Sequence, residues 1–261
     1  MINDESRSTY SVIEPAQRTA ARIVGLLYLV QMATGIFGQY VRDQLIVRGD
    51  AAKTAQNITG AERLFRLSIA GDLITYILVI ALIWALYILI RPVNKNLALL
   101  GVLFRMAENA ILCVATINSL IVLKLLSGAD YLKTFAANQL NSLVTLALGV
   151  QGLAMNVGFI LLGLGSTVFA YLLLKSGYVP KALAIWGIFS SLVFALVTLG
   201  IMVFPALAAL GLTYMVPMGI YEVGLGCWLL LKGITTSNHD DADGLGTRST
   251  RSVSPRLPVF L

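Results

Sequence analysis

Long apolar runs alternate with short polar stretches along the chain, and the runs have the lengths of membrane spans. Crossing about 30 Å of hydrocarbon takes about 20 residues at a helical rise of 1.5 Å per residue. Runs of that order lie at residues 23–41, 67–90, 97–123, 143–174, 182–204 and 212–231. The pattern predicts an all-α polytopic transmembrane helix bundle of six spans. It forms a single domain over residues 15–234, between a polar amino-terminal tail (1–14) and a disordered carboxyl-terminal tail (235–261).

The punctuation between the runs is chemical. Pro15 suits a first helical turn, because its missing N–H would have no partner there. Arg42 to Thr59 reads as a polar connector, after which Thr59-Gly60-Ala61-Glu62 fits a capping box that starts the second helix. Pro92 closes the second span, and the Arg91 to Asn96 turn leads into the third. Gly128 suits a helix stop and Asp130 a cap for the fourth helix. Lys175-Ser176-Gly177 ends that helix, and Pro180 opens the fifth. From Ala182 to Leu231 there is no Lys or Arg. As one helix that stretch would be about 75 Å long, more than twice the hydrocarbon thickness, so Pro205 to Gly211 must turn the chain back.

Composition agrees with the pattern. Hydrophobic residues make up 57% of the 261 positions and charged residues only 12%, about half the charge of a soluble domain. A chain so poor in charge cannot cover a water-facing surface, so lipid is its expected partner. The net charge of +6 does not point to nucleic acid. Its basic residues stand at the ends of spans and in the tails, where they act as topology signals and meet anionic headgroups. Arg7, Arg18, Arg22, Arg91, Lys95, Lys175, Lys181, Lys232, Arg248, Arg251 and Arg256 fall on one side of the membrane. Arg42, Arg48, Lys53, Arg63, Arg66, Lys124 and Lys133 fall on the other. That bias places both termini in the cytoplasm. The first apolar run ends at Arg42-Asp43 without a small-residue cleavage site, so it reads as a span and not a cleaved signal.

The chain resembles a bacterial multi-pass membrane family catalogued as domain of unknown function 4386. The likeness is carried by Arg22-Ile23-Val24-Gly25-Leu26-Leu27-Tyr28-Leu29, by Asn57-Ile58-Thr59 through Glu62-Arg63-Leu64-Phe65-Arg66 to Gly71-Asp72-Leu73, by Leu86 to Asn109, and by the Tyr171 to Gly187 hairpin. It implies a multi-helix protein of the bacterial inner membrane and brings no activity with it. A fainter internal echo relates Ala85 to Arg91 with Phe169 to Lys175, two span ends obeying the same membrane rules.

Candidate chemistry is confined to a few residues. Asp72, Arg105, Glu108 and Glu222 lie inside predicted spans, where each charge costs about 3 kcal/mol at a helix centre. They are expected to face the bundle interior and to pair. Arg105 and Glu108 share a helix face that continues through Gly101, Leu112, Thr116 and Ser119. Ser68, Asp72 and Thr75 share another. Gly149, Gly152, Asn156 and Gly163 recur at helical spacing, a small-residue surface that lets neighbours approach. The expectation is one polar centre of Asp72, Arg105, Glu108, Asn156 and Glu222, in which Arg105 meets Glu222 or Glu108. One arginine cannot neutralise three carboxylates, so at least one is expected to be protonated or hydrated.

Other chemistries find no support. Cys113 and Cys227 read as small buried hydrophobes. His239, the sole histidine, lies in the polar tail, which leaves metal binding and imidazole catalysis without a candidate. Asn57-Ile58-Thr59 reads as a helix-start signal and not a glycosylation site. Trp84, Tyr87, Tyr171, Tyr178 and Trp228 suit an interfacial belt. There is no phosphate-binding glycine loop and no nucleophile–base set. No cofactor is expected and no enzyme. What remains is a small-solute or proton-coupled permease, with a non-enzymatic scaffold or accessory subunit as the alternative.

Overall fold

The computed structural model describes residues 14–234, so the expectations for the two tails, His239 included, lie outside the described residues. Every regular element among those residues is helical: α1 (Pro15–Leu45), α2 (Ala51–Gly60), α3 (Glu62–Ile90), α4 (Lys95–Leu125), α5 (Ala137–Ser176), α6 (Lys181–Val203) and α7 (Val216–Leu231). Three short 3₁₀ turns sit at Asp130–Leu132, Pro205–Leu210 and Thr213–Met215. Six helices are long and apolar enough to cross a membrane; α2 is not one of them.

The spans pack in chain order around a ring, α1 on α3, α3 on α4, α4 on α5, α5 on α6 and α6 on α7, and α7 closes back on α1. Six antiparallel crossings bring the ends of α1 and α7 that lead to the termini to one face, beside the α3–α4 and α5–α6 turns. Arg18, Arg22, Arg91, Lys95, Lys175, Lys181 and Lys232 are all exposed at that face. The outer surface between the two ends is apolar: Ile77 is 67% exposed, Val114 63% and Leu196 64%. In water such a surface would aggregate; in lipid it is the expected one.

Two apolar clusters close the bundle. The cluster near the termini face joins Leu82, Leu86, Leu89 and Ile90 of α3 to Phe169, Leu172 and Leu173 of α5, and to Leu225 and Leu229 of α7. The second, at the α2 end, gathers Val41, Ile58, Phe65, Ile69, Val122 and Val144. The interior between them is where the polar side chains lie.

Three local expectations are corrected. The stretch read as a polar connector contains α2, and Thr59 lies inside that helix instead of capping the next. Asp50 is the cap, its side chain accepting from Lys53 N at 2.8 Å, and Thr54, Ala55 and Ile58 turn inward. Ile58 burial against the α2-end cluster outweighs the capping box, so Thr59 Oγ1 donates back to Ala55 O and α3 begins at Glu62 without a side-chain cap. Asp130 does not cap α5. It sits in a 3₁₀ turn beside Lys133, and Gln139 Oε1 instead accepts from the Ala136 N–H at 2.9 Å as α5 begins. Gly177, with φ +69°, ends α5 in the left-handed conformation that a side chain resists.

Candidate functional site

Arg105 and Glu108 lie one turn apart on the inner face of α4, 2% and 3% exposed. Arg105 Nη1 stands 3.1 Å from Glu108 Oε2. The angles are poor, and neither of those two atoms completes a hydrogen bond. The space they occupy is made by glycine. A Cβ at Gly165 of α5 would lie 2.8 Å from Arg105 Cγ, and one at Gly158 would lie 3.0 Å from Leu112 Cδ2. Glycine lets α5 come close enough to cover the arginine stem, a close backbone approach typical of membrane helices.

Among the described residues the ion-pair partner of Arg105 is Glu108 on its own helix. Glu222 on α7 is half-buried and makes no ion pair within 4.0 Å among the described residues. Its neighbour Tyr221 is buried over Gly187 of α6, and its ring occupies the place a Cβ would take there. Ser166 of α5 and Ser191 of α6 are also buried, and the Ser191 hydroxyl has no partner. Tyr28, Arg105, Glu108, Ser166, Ser191, Tyr221 and Glu222 lie 9 to 13 positions from the termini-face ends of their helices, about 14–20 Å along the axis and near the midplane.

Two members of the expected cluster stand elsewhere. Asp72 does not join Arg105; its Oδ2 receives Arg42 Nη1 at 2.5 Å. Arg42, read from sequence as the polar end of the first span, is only 8% exposed and lies inside α1. The missing side chain of Gly38 makes room, since a Cβ there would lie 2.5 Å from Asp72 Oδ1. One turn deeper the α1–α3 seam continues with Thr34 Oγ1 and Thr75 Oγ1, 2.6 Å apart. Asn156 is half-buried on α5 and joins no side-chain hydrogen bond among the described residues. The small-residue surface around it is split. Gly163 packs closely on Ser191 and Ala195 of α6, whereas Gly149 and Gly152 face nothing within 4 Å because α6 has already ended.

Further polar residues follow α4 toward the α2 end. Asn109 Nδ2 donates to Tyr76 O at 3.1 Å, Thr116 Oγ1 lies 3.4 Å from the Tyr76 hydroxyl, and Ser119 Oγ donates to Gln151 Oε1 at 2.6 Å. All are buried. Thr116 and Ser119 were legible as one α4 face. Tyr28, Arg42, Asn109 and Gln151 were not singled out, although Gly25, Tyr28, Gln31, Gly38 and Arg42 recur at helical spacing and all are buried in α1.

An apolar exterior, six crossings and titratable side chains enclosed at mid-depth define a multi-pass helical membrane protein. The DUF4386 profile, described as a domain of unknown function, matches residues 23–233, and the chain belongs to that family. It is 29% identical over 170 residues to an uncharacterized protein of Archaeoglobus fulgidus, a match covering 64% of this chain and 83% of the relative. No solved structure matches it.

Proposed function

We propose that this protein is a proton-coupled permease for a small solute, working in the bacterial inner membrane with both termini cytoplasmic. The observation that carries this reading is the excess of carboxyl groups over guanidinium at the midplane. Glu108 stands 3.1 Å from Arg105 while Glu222 makes no ion pair within 4.0 Å among the described residues, and Glu108 Oε2 and Arg105 Nη1 are buried without complete hydrogen bonds. Buried charge of this kind is expensive in hydrocarbon, and substrate, ion and proton pathways are among its known uses. The centre suits proton exchange because gaining one proton removes one charge and releases the arginine to the other glutamate. The reading requires no cofactor and no enzymatic step.

A scaffold or accessory role is favoured by one feature, the close packing of Gly158 and Gly165 around the pair, since a structural lock needs no open space. Reconstitution into proteoliposomes with a pH-sensitive dye inside separates the two. A permease loses its proton or solute flux in Glu108→Gln and Glu222→Gln while keeping its fold in detergent. Equal flux in wild type and both variants overturns the permease reading.

A further inference from the structure

The approaches to the midplane centre differ at its two ends. Toward the termini face the interior is filled by Leu82, Leu86, Leu89 and Ile90 of α3 with Phe169, Leu172 and Leu173 of α5, all at most 2% exposed, and the buried Gln17–Tyr178 hydrogen bond lies outside them at the rim. Gly101, the next α4 residue on the Arg105 face, is covered by the Phe169 ring, which a Cβ would approach to 2.5 Å. No polar step leads outward on that side of α4 before Lys95.

The other direction is built differently. From Glu108 the inner face of α4 carries Asn109, Thr116 and Ser119, met by Tyr76 of α3 and Gln151 of α5. Asn109 Oδ1 is buried without a partner, as is Glu108 Oε2 one residue away. The row extends about 16 Å beyond Glu108. Leu112, seated on Gly158, and Ala115 interrupt it between Asn109 and Thr116. Its far end lies beneath the α2-end cluster, whose cover is a helix of 10 residues with three buried side chains. Both oxygens lie at the start of this row on α4, and a water molecule there would satisfy them.

We infer that the ligand of the midplane centre is the proton, and that it reaches Glu108 from the α2 end of the bundle along the hydroxyl and amide row of α4. The inference deepens the permease reading and rests on it. In the step, hydronium gives a proton to Glu108 Oε2 and returns to water; the new O–H bond ends the attraction to Arg105, which then faces Glu222 alone. The ionisable groups nearest this change are Arg105 on α4, Tyr28 on α1 and Glu222 on α7; Tyr76 faces the row from α3. Gly158 and Ser166 are the uncharged neighbours on α5.

The test uses the full chain with Cys113 and Cys227 replaced by serine, carrying Thr116→Cys or Ser119→Cys, in sealed vesicles sorted by orientation. Silver ions, small enough to follow water, are added from one face, and the surviving thiol is titrated after denaturation. Silver from the α2 face is expected to consume the thiols at positions 116 and 119, while Leu86→Cys survives silver from either face. Ala52→Cys, exposed on α2, reports that silver arrived. Survival of both row thiols while that control is consumed, or their consumption from the termini face, overturns the path. In vesicles holding no organic solute, Leu112→Ala is expected to raise proton flux several-fold, and an unchanged flux also counts against it. If the row proves accessible but flux is indifferent to Glu108→Gln, the permease reading fails and the asymmetric access stands.

Discussion

Breaking the Arg42–Asp72 pair gives the sharpest energetic prediction, because both partners are buried and they join different helices. Their side chains are 10% and 6% exposed and meet at 2.5 Å. Asp72→Asn removes the charge that compensates Arg42 and leaves a guanidinium inside the α1–α3 seam. Removing one member of a buried pair costs about 3–5 kcal/mol, most of it the stranded charge and not the lost attraction. Arg42→Met strands the carboxylate, which can take up a proton, so its loss should sit at the lower end of that range. The double variant Arg42→Met/Asp72→Asn strands nothing and should recover most of the stability. The assay is reversible unfolding in mixed micelles of detergent and denaturant, analysed as a double-mutant cycle. Two single variants each within about 1 kcal/mol of wild type, or losses that simply add, would show that the pair is hydrated and refute the burial argument.

Other consequences are testable by the same unfolding measurement. Gly25→Ala drives a Cβ to 2.5 Å from Leu230 N at the α1–α7 closure; backbone cannot yield as a side chain does, so a loss of about 1–3 kcal/mol or more is expected. Gly35→Ala, with nothing within 4 Å, should be neutral or stabilising by up to about 1 kcal/mol, because alanine holds a helix better. Ser119→Ala leaves Gln151 Oε1 without its donor and should cost about 0.6 kcal/mol and at most about 1.7 kcal/mol, the mean and maximum for interhelical hydrogen bonds in a membrane protein. Glu62→Ala breaks the Arg66 pair on α3, whose side chains are more than half exposed, and should shift stability by no more than about 0.5 kcal/mol.

Much of this molecule is legible from local chemistry. Span count, helical class and the termini sharing one face follow from run length and turn residues, because hydrocarbon forces every backbone group to be satisfied within its own helix. The shared face of Arg105, Glu108, Thr116 and Ser119 follows from helical periodicity, which holds along any single helix. Asp50 and Ile58 show where local signals fall short. The Thr59 to Glu62 motif was a sound start signal, yet burial of Ile58 beneath the α2-end cluster carried the preceding helix through it.

Partner choice across helices is a different kind of information. Nothing in the run from Ile23 to Val41 says that Arg42, one residue past its end, would turn inward to Asp72, or that Glu222 would be left without a close cation. Those outcomes depend on which helix faces touch and how closely, and the glycines at 38, 158 and 165 set that distance. Sequence alone determined the solvent of this chain and the helix on which each buried charge stands, because both are properties of one helix in oil. Tertiary structure alone decided which charges meet, because pairing is set by the separation and rotation of helices that periodicity within one span does not encode.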